Sequence, residues 1–210
     1  LPILDAALAR LVESRLASGG RKLTATQWTQ LVQATRMAKE SLLGVDAPER
    51  HGIAVVGAGG RLIGNTLSAE LSREETERVT LDGFLPACTA DEAPRAGARV
   101  GLQELGLPYA QDPAITRHLA AFLRQHSAAC FEALGIPGST SGLPRPDAIL
   151  LNGGVFNSQG ITRRLLDVMA AWWPGAPAVP PLPHGSLELA VARGAARYGL
   201  VRRGLGPRIG

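Results

Sequence analysis

Gly153 and Gly154 stand between the apolar run Ala148-Ile-Leu-Leu151 and a segment with helical spacing through Leu165, Leu166, Val168, Met169 and Trp172. Two residues without a Cβ at such a junction let a backbone come within contact distance of a ligand ring or phosphate, and ligands of open α/β sheets gather at the C-terminal ends of strands. A tight strand-to-helix turn uses the same pair equally well, and the two readings stand side by side. A second candidate is the stripe of Arg36, Lys39 and Glu40, whose i,i+3 and i,i+4 spacing sets two cations and a carboxylate on one polar helix face. A solvated face with an Arg36–Glu40 pair is its plain account. Glu188 is a third, a carboxylate in the first turn of a helix rich in small residues, where complementing the helix dipole suffices to explain it.

Other chemistry-bearing patterns fail on spacing. Val56-Gly-Ala-Gly-Gly60 follows a β-prone run, but a dinucleotide fingerprint needs a glycine at its sixth position and a helix at once. Leu62 holds that position and the next residues are strand-like. A hairpin turn is the expectation there. His51, His118, His126 and His184 show no metal spacing, Ser139-Thr-Ser141 has no paired base, and Cys88 and Cys130 form no Cys-x-x-Cys. Trp172-Trp173 reads as the packed end of a helix.

Composition narrows the class. With 210 residues, 45% hydrophobic and 19% charged, the chain has the profile of a globular protein of one large domain or two small ones. The net charge of +4 comes from arginines scattered from Arg10 to Arg208, with neither a basic block nor an aromatic platform, so no nucleic-acid partner is expected. No run approaches the ~20 apolar residues of a membrane span and no signal segment opens the chain, which leads us to expect a cytoplasmic protein without a membrane partner. Leu1 in place of methionine and the abrupt end at Gly210 are read as the cut ends of a longer protein.

Positioning elements follow from periodicity and caps. Leu4, Leu8, Leu11, Val12 and Leu16 predict a first helix stopped by Ser18-Gly-Gly20. Thr24-Ala-Thr-Gln27 is a capping box that opens a second helix, with Trp28, Leu31, Val32, Thr35, Ala38 and Leu42 inward and Gly44 at its end. Ile53–Val56 and Arg61–Leu67 predict a hairpin, and Ser72-Arg-Glu-Glu75 a further capping box before a short helix toward Phe84. Asp112-Pro113 predicts the start of a long helix to Leu134, stopped by Gly135. After a loop come a strand over Ala148–Leu151, the double glycine, and a helix ended by Pro174. Residues 176–183 predict one extended segment, and Ser186 caps a last helix whose Gly194, Ala195 and Ala196 imply close approach to a neighbour. The class is mixed α/β.

Taken in order, these segments resemble the second lobe of the actin-like ATPase domain in the DnaK family of 70-kDa heat-shock chaperones. Ala34-Thr-Arg-Met-Ala-Lys39-Glu-Ser-Leu42 resembles that family's Ala-x-x-x-Ala-Lys-x-x-Leu helix, which reaches adenosine. Ile149-Leu-Leu-Asn-Gly153-Gly154 resembles its adenosine-contacting strand and turn, and Glu188-Leu-Ala-Val-Ala-Arg-Gly-Ala-Ala196 resembles its Asp-Glu-Ala-Val-Ala-x-Gly-Ala-Ala helix. The resemblance implies an α/β actin-like (ribonuclease H-like) lobe, with residues 1–20 and 111–210 as an inner mixed-sheet subdomain and 21–110 as an inserted outer α+β subdomain. It implies a cofactor-binding set of Lys39, Gly153, Gly154 and Glu188, no catalytic or metal residues in this chain, and ATP or ADP with magnesium in the intact protein. The implied partners are the first lobe of the same protein and client or co-chaperone proteins.

Departures from the family pattern mark a divergent branch. Arg36 stands where the family has an acidic residue three positions before its lysine, and Glu40 where it has an arginine. Val155 replaces the hydroxyl residue after the double glycine, and Asn157 the basic residue two further on. The phosphate loops belong outside this segment, so hydrolysis by this chain alone is not expected. A nucleotide-free scaffold or interaction module on the same fold, and a lobe of a small-molecule kinase, are the alternatives.

Overall fold

The computed structural model describes residues 2–16, 22–57, 66–95, 112–136, 142–187 and 189–206. Helix α1 spans Pro2–Leu16 and α2 Ala25–Leu42, followed by strands β1 (Arg50–Val55) and β2 (Leu67–Ser72) and the short helix α3 (Arg73–Glu77). A π-helical turn over Arg78–Asp82, α4 (Ile115–Gln125), α5 (Ser127–Ala133), a 3-10 turn over Gly154–Asn157, α6 (Gln159–Ala171) and α7 (Ala190–Arg202) complete the order. The protein is mixed α/β, mostly helical with a small antiparallel sheet.

Both capping boxes form as the spacing predicts. Thr24 accepts from the Gln27 backbone N–H while the Gln27 side chain takes the Thr24 N–H at 3.0 Å. Ser72 does the same with Glu75, which accepts from the Ser72 N–H at 3.0 Å. Each box satisfies two backbone donors that a helix start would otherwise leave open. Strands β1 and β2 pair antiparallel from Arg50↔Ser72 to Val55↔Leu67, with Ile53, Val55 and Leu71 buried on one face. β1 overlaps the expected first strand, but its antiparallel partner is Leu67–Ser72 in place of the expected Arg61–Leu67. Residues 58–65, which hold most of the expected second strand and its glycine turn, lie outside the described residues.

Two cores meet at α1. Leu8, Ala9 and Val12 pack with Leu31, Ala38 and Leu42 of α2 and with Ile53, Val55 and Leu71 of the hairpin. Leu4 and Ala7 belong to the other core, with Phe84, Leu85, Leu151, Ile161, Leu165, Met169 and Trp172. Burying an aliphatic side chain of this size contributes about 1.5–3 kcal/mol, so α1 is held from both sides. Trp172 is buried and its indole N–H donates to the Cys88 carbonyl at 2.9 Å, while Trp173 donates to Leu143 at 2.9 Å. The tandem tryptophans therefore end a packed helix, as expected, and Cys88 is a buried free thiol.

Four expectations are corrected. The strand over Ala148–Leu151 is reduced to a single parallel bridge, Ile149 to Pro181, made by Ile149 N–H to Pro180 O at 3.0 Å and Leu182 N–H to Ile149 O at 2.8 Å. Pro180 has no N–H to donate to the residue 147 carbonyl, so the ladder cannot extend toward the start of the expected strand. The long helix after Asp112 begins at Ile115 and breaks at His126, where the weak helix formers His126 and Ser127 follow one another. Asp112 instead ties the region together. Its carboxylate accepts from Ala114 N–H at 3.0 Å and Arg95 N–H at 2.8 Å, and takes both oxygens to Arg117 at 3.1 and 3.0 Å.

Helix α7 departs most. Ser186 is not its N-cap: Leu189 holds that position without a side-chain hydrogen bond, Ser186 accepts from Leu189 N–H at 3.3 Å ahead of the helix, and α7 has no buried residue. Gly194, Ala195 and Ala196 are exposed, and a Cβ placed on Gly194 would meet nothing within 4 Å. The small residues do not mark close approach to any described element.

Two carboxylates make the fold acid-sensitive. The Arg15 guanidinium hydrogen-bonds Glu75 and, with Ser72 and against the effect of burial, holds its carboxyl at about 2, down from 4.5. Burial would raise Asp112, but the Arg95 and Ala114 N–H groups and Arg117 outweigh it and hold its carboxyl below the usual aspartate range. A carboxyl lowered by folding contributes stability that is present above its unfolded value and lost as pH falls toward its folded one. Urea midpoints are therefore expected to fall between pH 4.5 and about 2. The Glu75→Gln variant, which keeps the capping box, is expected to lose less of its stability across that window than the unaltered protein.

Candidate functional site

The contact between α1 and α2 contains Lys39, the only buried lysine among the described residues. Lys39 lies one turn after Thr35, whose hydroxyl is 3.2 Å from the Asp5 carbonyl and 2.9 Å from that of Leu31. The Lys39 ammonium donates to Asp5 Oδ1 at 2.5 Å, with the side chains 3% and 9% exposed. A charge this deep is tolerated only when paired and hydrogen-bonded, and the Asp5 carboxylate supplies that partner. The expected solvated stripe is thus divided. Arg36 and Glu40 do pair at 3.1 Å on an exposed face, while Lys39 turns inward.

A cavity of about 290 Å³ opens beside this pair. Asp5, Val32, Gln33, Arg36, Lys39 and Glu40 line it from the two helices, and Gly154 and Val155 from the turn after Leu151. Gly153 precedes that turn with φ +95° and ψ 148°, a conformation that residues with a Cβ rarely adopt, and a Cβ placed on it would meet nothing within 4 Å. Glycine is required at 153 by its dihedral angles rather than by crowding. Its carbonyl accepts from Phe156 N–H at 3.1 Å, closing the 3-10 turn.

The turn is registered against α2 by one carbonyl. Leu43, the C-cap of α2, has a backbone oxygen that accepts from Ser158 Oγ at 3.1 Å and from Gly160 N–H at 3.4 Å. Ser158 Oγ in turn accepts from Ile161 N–H at 3.4 Å, capping α6. The end of the lysine helix and the start of the helix after the double glycine are thereby fixed together, with a helix-end carbonyl satisfied across the junction.

Of the four residues singled out by sequence, Lys39 and Gly154 line one cavity and Gly153 adjoins it. Glu188 lies outside the described residues. Asp5 was not singled out. Its signal is the break in an apolar face, since Asp5, Ala9 and Val12 follow helical i, i+4, i+7 spacing and the two alanine and valine positions are buried. Among the described residues, no group of three His, Cys, Asp or Glu side chains could hold a metal ion, and no helix is long and apolar enough to cross a membrane. No protein-family model matches the chain, and no curated protein matches it.

The buried pair has a measurable signature. Lys39→Met leaves the Asp5 carboxylate buried without its partner and is expected to lower unfolding free energy by about 3–5 kcal/mol. Adding Asp5→Leu removes that carboxylate, and the double variant is expected to recover most of the loss in urea titrations.

Proposed function

We propose that this chain forms the adenosine side of an interlobe ATP cleft in a chaperone-like ATPase of actin-like fold. The observation that carries the proposal is that Lys39 and Gly154, far apart in sequence, line one cavity. In this reading Lys39 donates a hydrogen bond to a ribose hydroxyl through one of the ammonium protons not given to Asp5. The backbone at Gly153-Gly154 forms the opposite wall, where the lack of side chains permits close approach to the nucleoside. ATP or ADP with magnesium would be held with the first lobe, and the chain would not hydrolyse ATP alone. A cytoplasmic chaperone, with client or co-chaperone proteins as partners, is the setting this reading assigns.

The exposed helix α7 supports a missing partner body. Val191, Tyr198 and Leu200 are 76%, 65% and 45% exposed, apolar surface that the first lobe of the same protein would cover. Closure of such lobes around a nucleotide couples to distant partner sites by hinge motion. A second reading has its own support: Lys39 is already engaged by Asp5 and only 3% exposed, as a purely structural pair would be. In that case the chain is a nucleotide-free scaffold.

Calorimetry of the full-length protein with ATP and ADP in magnesium separates the two. Tight binding that Lys39→Ala weakens at least about tenfold, in protein shown by circular dichroism to be folded, is the expected result. Binding that Lys39→Ala leaves unchanged removes Lys39 from the site, and absence of binding establishes the scaffold.

A further inference from the structure

We infer that residues 177–184 are a docking segment, an exposed stretch of polyproline II geometry that a partner domain takes into an uncharged, aromatic-lined groove. The inference goes beyond the nucleotide reading and does not depend on it.

The residues themselves restrict this backbone. They read Pro-Ala-Val-Pro-Pro-Leu-Pro-His. Each proline holds its own φ at about −65° and pushes the residue before it out of the helical region, toward extended or polyproline II values. From Ala176 to Pro183 only Ala178 is neither a proline nor followed by one. The segment therefore has little backbone freedom left to lose when a partner binds. Polyproline II turns about once every three residues. Pro177, Pro180 and Pro183 then fall on one ridge, Ala178, Pro181 and His184 on a second, and Val179 and Leu182 on the third.

The contacts divide the ridges in the same way. Val179 is buried, and the Leu182 N–H donates to the Ile149 carbonyl at 2.8 Å, so the third ridge is the one held by the body of the protein. The carbonyls of Pro177 and Pro180, again three apart, are bound by Arg145 at 2.6 Å and by the Ile149 N–H at 3.0 Å. The remaining two ridges face outward. Pro177, Ala178, Pro180, Pro181, Pro183 and His184 are all exposed, and among the described residues nothing donates to the carbonyls of Ala178 and Pro181. Pro181 and Pro183 also border a cavity of about 760 Å³ against α6, which leaves open space beside them.

This surface selects its partner by chemistry. Pairing by strand addition needs amide donors that the prolines lack. Proline segments are instead taken up by aromatic-lined grooves, where flat rings cover the pyrrolidines and a tyrosine hydroxyl or indole N–H can donate to a free carbonyl. Residues 174–187 contain no Asp, Glu, Lys or Arg, so a groove that also demands an ion pair beside the prolines finds none. A neutral groove of the WW type matches both features. The run from Pro177 to Pro183 covers ~19 Å at ~3.1 Å per residue, enough to lay successive prolines of one ridge along such a groove.

The test titrates the full chain into a panel of isotope-labelled WW domains and follows their amide and indole N–H resonances. Saturable shifts confined to the aromatic groove of at least one domain are expected. Joint replacement Pro180→Ala and Pro183→Ala is expected to weaken that binding at least about tenfold, the scale of losing an anchor residue. Ala178→Glu keeps every proline but charges the second ridge, and is expected to weaken it in the same direction. All three positions are exposed, and circular dichroism of both variants is expected to match the unaltered chain. Binding by no member of the panel overturns the inference, and so does binding that both variants leave unchanged.

Discussion

The ion pair between Asp5 and Lys39 is the constraint around which the rest is arranged. Two opposite charges, 9% and 3% exposed, sit where α1 crosses α2, and neither could stay there without the other. Such a pair adds little net stability over apolar residues of similar volume, since desolvation offsets most of the attraction. It does penalise any register of the two helices that separates the charges. α1 also supplies side chains to both apolar cores, so this register is passed on to the hairpin on one side and to α6 on the other.

From there the geometry is transmitted by backbone groups. The last carbonyl of α2, on Leu43, is bound by Ser158 and Gly160 at the start of α6, and the 3-10 turn containing Gly154 lies just before that junction. The cavity wall contributed by the turn therefore cannot drift far from the lysine helix without breaking a helix cap.

Much of the local structure was legible because it depends on near neighbours. Thr24 with Gln27 and Ser72 with Glu75 form their caps from residues three apart, and no distant contact is needed to decide them. Helix α2 was readable from Leu31, Thr35, Ala38 and Leu42 for the same reason. What spacing could not settle was which neighbour each face would meet. Lys39 falls at the edge of the polar stripe by its neighbours in sequence, and only the crossing of α1, with Asp5 in place, makes it a buried residue. The small residues of α7 likewise suit close packing, yet nothing among the described residues packs there. The strand at Ala148–Leu151 had a suitable composition, and its extent was decided by the chemistry of a partner some thirty residues later.

That partner carries a consequence of its own. Pro180, Pro181 and Pro183 offer carbonyls but no amide hydrogens, and the bridge they make with Ile149 ends where it begins. An extended, solvent-facing segment is ordinarily a template on which further chains can stack, because it presents alternating donors and acceptors along its length. Here the donor half of that alternation is largely missing. Along residues 180–183 carbonyl acceptors outnumber amide donors, which makes this rim a poor template for another strand.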